Sequence, residues 1–350
     1  MDTTFTPVER LGTTVEPGAI VRLRDIACPA PPLIHPDYET LTARNHAWVC
    51  ATVPFRSERE RLFFLRQRIP RWTCWCYPTA EPQRAGDIVR LYTLLFALDD
   101  RAVSGWDVQD SLVPTLRGEE PPDGPYSSAF REVWSQLATA MTPGVRERYV
   151  PTLRRWAEAL SAENAIRATG EVARPDVCFP LRRVATGGET IIVPVEHGLG
   201  IDLSDEIAGD EQLAGMWRIV GTHVVLVNDL FSFRKEFFTG DCLNLITSLL
   251  YHEKMTLQSA VDKVQDMIDK AGEDFAAACR NIRGRYAGHP RGKDIGRYLD
   301  ALGYMISGNV AWSYESPRYH GVGHVWDGLP PDTMTLQQDK TEFGVEIGGE

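Results

Sequence analysis

Asn228, Ser232 and Glu236 stand four residues apart in THVVLVNDLFSFRKE, directly after an apolar run. On a helix, positions four apart fall on one face. The three residues then present an amide oxygen, a hydroxyl and a carboxylate along one stripe. These are hard oxygen donors suited to Mg²⁺ or Mn²⁺, and Mg²⁺ keeps part of its octahedral shell for waters and phosphate oxygens. A polar helix face meeting water has the same spacing. A second acidic feature closes LLFALDD, where Asp99 and Asp100 end a segment that is apolar for two turns. Carboxylates sit poorly at the negative end of the helix dipole, and a bound cation resolves that conflict. A solvated helix end is the plain alternative. If the two features face each other across a cavity, they form a multi-metal site at the mouth of an apolar pocket. The ligand implied has an anionic head and an apolar body, as an isoprenyl diphosphate does.

The elements that must position these residues read as helices. SERERLFFLRQRI (57–69) opens with Ser57 as N-cap and Glu60 at the third helical position, a capping box. GDIVRLYTLLFALDD (86–100) is apolar on nearly all sides, as a core helix is. The segment 145–168 is amphipathic with Pro151 as a kink point, 213–237 is a second core helix, 255–282 is capped by Thr256, and 291–319 is the last. TIIVPV (190–195) is the best strand candidate, although Pro194 weakens it. Two glycines in LRRVATGGET break a helix there, as a simple turn or as a break that places a backbone carbonyl in the cavity. There is no βαβ alternation and no repeat period, so the fold class is all-α in a single helical bundle around a central apolar cavity. Residues 1–34, which include CPAPPLIHP, read as an irregular arm, 35–322 as the catalytic domain, and the polar stretch 323–350 as a mobile tail.

Bulk properties exclude several classes. The chain has 350 residues and a net charge of −11, with no long Lys/Arg block, so nucleic acid is not expected as a partner. The seven cysteines include Cys74-x-Cys76 but no C-x-x-C pair, which argues against zinc and for small packing residues. No window of eighteen apolar residues suggests membrane insertion, and MDTTFTPVER lacks the pattern of a signal peptide. The expected location is cytoplasmic.

The motifs, taken together, resemble those of the bacterial class I terpene synthases (terpene cyclases). NDLFSFRKE carries Asn-Asp-x-x-Ser-x-x-Lys-Glu complete, and GDCLNLI (240–246) resembles the continuation of that motif. GNVAWSYESPRY (308–319) resembles the segment ending in an Arg-Tyr pair, LRRVATGG (181–188) the arginine-bearing helix break, and IHPDYETLTARNHAWV (34–49) the first helix. The resemblance runs over residues 34–322, in the family's order. One departure stands out. The aspartate-rich motif reads Asp99-Asp100-Arg101-Ala102-Val103-Ser104, without an acid at the usual third place, and Asp107 lies farther along.

The resemblance implies a cyclase that ionises farnesyl or geranylgeranyl diphosphate with three Mg²⁺ ions, Mn²⁺ being a substitute, and cyclises the cation to a hydrocarbon or alcohol. The C15 substrate is favoured. Asp99, with Asp100 beside it, would hold two ions; Asn228, Ser232 and Glu236 would hold the third. Arg182, 46 positions before Asn228, would sense the diphosphate, with Arg183 as runner-up, and Lys235, Arg318 and Tyr319 would donate to it. Phe96 and Trp312 would face the carbocation, with Phe231 and Tyr92 as weaker candidates. His223 reads as a hydrogen-bonded packing residue. A chain-elongating prenyltransferase shares the fold but uses two aspartate-rich motifs. A non-catalytic isoprenoid-binding protein is the other alternative, and a homodimer is compatible with the family.

Overall fold

The computed structural model describes residues 15–16, 18–102, 108–121, 124, 126–239, 241–321 and 323–336. Asp107, Gly240 and the segments 1–14 and 337–350 lie outside the described residues. A short strand β1 (Ile20–Arg22) precedes α1 (Tyr38–Thr52), α2 (Glu58–Arg66), α3 (Ile69–Cys76) and α4 (Pro82–Ala102). Next come α5 (Val108–Arg117), α6 (Ser127–Ala140), the long α7 (Pro143–Thr169), α8 (Pro175–Ala185) and α9 (Pro194–Leu199). The short α10 (Ser204–Gly209) and α11 (Glu211–Ala214) lead into α12 (Met216–Thr239) and α13 (Leu245–His252). Finally α14 (Leu257–Arg285), α15 (Gly292–Glu315) and α16 (Pro317–His320) are followed by β2 (Thr333–Thr335). Among the described residues the architecture is all-α, with one two-stranded ribbon.

The core forms where apolar residues recur on every side of α4 and α12. Ile88, Leu91, Leu94 and Leu98 of α4 and Val220, Val227, Leu230 and Phe233 of α12 have no accessible surface. Each such side chain contributes about 1.5–3 kcal/mol by leaving water. Around this core α12 packs on α14 and α15, α15 on α3, and α3 on α4. Among the described residues no helix is long and apolar enough to cross a membrane.

The caps follow the sequence signals. Ser57 accepts from the Glu60 amide at 3.1 Å and Thr256 from the Ser259 amide at 3.2 Å. α7 runs from Pro143 to Thr169 with Pro151 inside it.

The strand expected at 190–195 is absent. Ile191, Ile192 and Val193 are all buried, so no alternation of faces develops. Their backbone is satisfied locally, Ile191 N donating to Gly187 O at 3.0 Å and Ile192 N to Glu189 O at 3.2 Å. Pro194 starts α9, at a position where its missing donor costs nothing.

The tail was expected to be mobile from residue 323, and its described part has a defined structure. β2 pairs antiparallel with β1 in the register Ile20↔Thr335, Val21↔Met334 and Arg22↔Thr333, and both Val21 and Met334 are buried. Two buried apolar residues in a polar stretch of sequence are too weak a period to announce a strand.

Where α8 ends, Gly187 takes a φ of +87°. Beyond it Gly188 meets Gly221 of α12 so closely that a Cβ at Gly221 would lie 3.0 Å from the Gly188 Cα. Glycine at both positions lets the two backbones touch, and this contact sets how far Arg182 stands from the α12 stripe.

Candidate active site

α12 carries the oxygen stripe as its spacing requires. The Ser232 hydroxyl donates to Glu236 Oε2 at 2.8 Å. Asn244, which caps α13 by accepting from the Ile246 amide at 2.9 Å, donates to the same Glu236 oxygen at 3.0 Å. Asn228 is held at both ends of its amide. Its Oδ1 accepts from Arg182 Nη2 at 2.8 Å, and its Nδ2 donates to the Tyr319 hydroxyl at 2.7 Å.

Facing this stripe is the last turn of α4. Arg318 donates to both oxygens of Asp100, at 2.9 and 3.3 Å, and to Gln67 Oε1. Two consecutive residues of α16 thus join the two acidic helices, Arg318 to Asp100 and Tyr319 to Asn228. Lys235 lies within the same field. Burial and the Arg318 charge lower its ammonium pKa, while Glu236, Asp100 and Asp99 oppose that shift.

Asp99 differs from its neighbour: among the described residues it has no hydrogen-bond or ion-pair partner. Burial, then the Asp100 charge, push its carboxyl up to about 6, with Arg318 pulling the other way. A partly buried carboxylate with no hydrogen-bonded or ion-paired partner calls for a cation. Among the described residues no three His, Cys, Asp or Glu side chains cluster as a metal site. The donors gathered here are instead a mixed set: an amide, a hydroxyl, the Glu236 carboxylate and, opposite, Asp99. That set fits a hard divalent cation that shares its shell with water and phosphate.

Beneath the stripe lies a buried charge network. Asp229 Oδ1 accepts from Arg182 Nε and Nη2 at 3.1 and 2.7 Å, and its Oδ2 accepts from the Leu245 amide at 2.9 Å. Burial raises the Asp229 carboxyl to about 6 while Arg182 holds it down. Arg182 Nη1 also donates to Glu163 of α7 at 3.2 Å. Glu163 in turn accepts from Arg167 at 3.1 Å, and Arg167 holds both oxygens of Asp241 at 3.2 and 3.0 Å. Arg183 points elsewhere, over the Trp217 ring at 5.6 Å.

A family model for terpene synthase family 2, C-terminal metal binding, matches residues 91–274, more than half of the chain. The chain belongs to terpene synthase family 2. Microbial Terpene synthase-like protein 13 of Selaginella moellendorffii is 27% identical over 312 residues, covering 85% of this chain and 86% of that protein. Alpha-muurolene synthase of Coprinopsis cinerea is 27% identical, with 90% and 77% covered. Among solved structures, linalool/nerolidol synthase from Streptomyces clavuligerus in complex with 2-fluorogeranyl diphosphate superposes with a TM-score of 0.74 at 24% identity, covering 83% of this chain and 98% of that one. The likeness to that structure is one of fold. This terpene synthase is an enzyme of class I, a cyclase of a family that binds a divalent metal.

Behind the polar head of the candidate site runs a line of aromatic rings. The Arg318 guanidinium lies 5.5 Å from the Phe96 ring centroid. Phe96 meets Trp312 at 6.2 Å and Trp72 at 5.4 Å, both edge to face. Trp312 in turn meets Tyr319 at 5.3 Å. Phe231 turns to the other flank, against Tyr314 at 5.5 Å and His320 at 6.1 Å. Tyr92 and Tyr77 hold the break after α8, donating to Thr190 O at 2.7 Å and Ile191 O at 2.5 Å. Those two carbonyls are thus engaged. His223 is fully buried as a packing residue, but neither ring nitrogen has the expected hydrogen-bond partner among the described residues, and burial lowers its pKa to about 4. Two open surface concavities, near Arg283–Gly296 and near Arg71 and Trp326, contain none of the site residues.

Sequence reasoning assigned no role to Asp229, Glu163, Arg167, Asp241, Asn244, Gln67 or Trp72. Asp229, Asp241 and Asn244 lie within quoted motifs, so motif position was a signal for them. Glu163 and Arg167 stand four apart on α7, a spacing that marks them as a pair but not what else they meet. Gln67 and Trp72 reach the site only through helix crossings, and sequence spacing carries no sign of that.

Proposed function

We propose that this cyclase is Mg²⁺-dependent, with three ions at work, and that it acts on farnesyl diphosphate in preference to geranylgeranyl diphosphate. The observation that carries the reading is the bridging of Asp100 and Asn228 by Arg318 and Tyr319, next to an Asp99 with no hydrogen-bond or ion-pair partner among the described residues. Asp99 and the Asn228–Ser232–Glu236 stripe would hold the metal, which supplies Lewis-acid stabilisation of the leaving diphosphate oxygens. Asp100 would orient Arg318 until the diphosphate arrives. When the allylic C–O bond breaks, its electron pair leaves with the diphosphate. Arg182, Lys235, Arg318 and Tyr319 would donate to the oxygens that gain this charge. Arg182 can swing from Asn228 to the diphosphate while Asp229 and Glu163 keep its position. The Phe96 and Trp312 faces would stabilise the carbocation by about 0.5–2 kcal/mol each.

The names of its relatives support the shorter substrate. They include (3S,6E)-nerolidol synthase of Selaginella moellendorffii and Sesquiterpene synthase Agr3 of Cyclocybe aegerita, each 26% identical. The test is incubation with farnesyl and geranylgeranyl diphosphates and Mg²⁺, read by gas chromatography with mass detection. A cyclic C15 hydrocarbon or alcohol is expected. A longer prenyl diphosphate would show chain elongation instead.

A further inference from the structure

Arg234 sits inside the metal motif and takes no part in the stripe. It is two residues from both Ser232 and Glu236, roughly 200° around the helix from each, so its side chain leaves α12 on the opposite side. There its Nη1 donates to His320 O at 3.1 Å and its Nε to Thr335 O at 2.7 Å. His320 directly follows Tyr319 on α16. Thr335 belongs to β2, which is paired to β1. β1 is fixed to α14, where the Arg22 amide donates to Gln258 at 2.9 Å and Gln258 donates back to Arg22 O at 3.0 Å. One guanidinium therefore ties the motif helix to the Arg318–Tyr319 turn and to the ribbon.

α16 is only four residues long and cannot hold its own orientation. Its side-chain ties on the site side, Tyr319 to Asn228 and Arg318 to Asp100, use groups that metal and diphosphate engage. The tie through Arg234 is made to a backbone carbonyl by a side chain on the far face of α12, which the ligands do not reach. We propose that Arg234 is a positioning residue for diphosphate binding, keeping Arg318 and Tyr319 aimed at the head group when their own bonds to Asp100 and Asn228 are given up. This rests on the diphosphate-binding reading of Arg318 and Tyr319.

The test measures inorganic diphosphate binding to the full chain in the presence of Mg²⁺ by titration calorimetry, well below each variant's melting temperature. Arg234→Ala is expected to weaken binding about tenfold, the lower end of what orienting partners of a ligand shell give. Arg234→Lys, which keeps one donor, should recover part of the loss. Arg234→Gln replaces the alanine variant if the latter does not fold. Arg24→Ala removes a different fastening of the same segment, the bond to Asp266 at 2.7 Å on α14, and should bind diphosphate as the parent does. Unchanged binding in Arg234→Ala overturns the proposal, as does an equal loss in Arg24→Ala, which would make the effect one of general loosening. Arg318→Ala separates the two levels. If it too binds diphosphate normally, the reading of α16 as a diphosphate clamp fails. If it alone is weakened, only the role of Arg234 fails.

Discussion

Asp99 and Asp100 are neighbours in sequence and opposites in circumstance. Both oxygens of Asp100 accept from Arg318, whereas Asp99 is raised by burial and by Asp100 itself. The two should therefore fail differently. Asp99→Asn is expected to cost at least about 10²–10³-fold in kcat, the scale of losing one preorganised electrostatic contact. Asp100→Asn keeps a carbonyl for Arg318 and should cost about 10–100-fold, with the Mg²⁺ requirement unchanged. Steady-state kinetics over a Mg²⁺ series check both, and a harmless Asp99→Asn would move the metal away from Asp99. The stripe on α12 was legible because three oxygen side chains four apart need only a helix to align them. Asp100 with Arg318 was not, since 218 residues separate them and a pairing of that range depends on how helices cross.

Among the elements, the crossing of α12 with the break after α8 carries the most consequence. Gly221→Ala would force a Cβ to 3.0 Å from the Gly188 Cα, so the two segments must part. Overpacking of this kind costs about 1–3 kcal/mol, to be read by urea denaturation. Activity should fall beyond what the stability loss explains, because Arg182 moves with its segment. Asn244 joins α13 to the same site. Asn244→Ala removes a cap worth about 0.5–2 kcal/mol together with the donor to Glu236. Asn244→Asp keeps the capping oxygen but sets a buried second carboxylate against Glu236 and the Asp229 carbonyl, so neither melting temperature nor turnover should recover. The helices themselves were readable from apolar periodicity and caps. TIIVPV misled because five β-branched residues read as a strand, while the tertiary environment buries them on every side.

At the scale of the whole molecule, four buried groups shape the dependence of stability on pH. Burial lowers His223 and His320 to about 4, from 6.5 in the unfolded chain. Between pH 6.5 and 4 the unfolded chain therefore binds more protons there, and stability falls as pH falls. Asp99 and Asp229 are raised from 3.8 to about 6, so over nearly the same window the folded chain binds more protons and stability rises as pH falls. The two effects oppose each other in the metal-free protein. A divalent metal that keeps Asp99 ionised removes its share of the offset. The fall in melting temperature from pH 6.5 to 4.5 should thus be larger with saturating Mg²⁺ than with a chelator, and scanning calorimetry decides it; equal falls would place the metal away from Asp99. The ring-to-ring line from Trp72 through Phe96 and Trp312 to Tyr319 has a further, optical consequence. Trp312 touches the tyrosine whose hydroxyl meets Asn228, so when that hydroxyl changes partner the indole's surroundings change with it. Among the nine tryptophans of the chain, Trp312 is placed to make intrinsic fluorescence a label-free signal of ligand arrival, and replacing it with phenylalanine would single out its part of the emission.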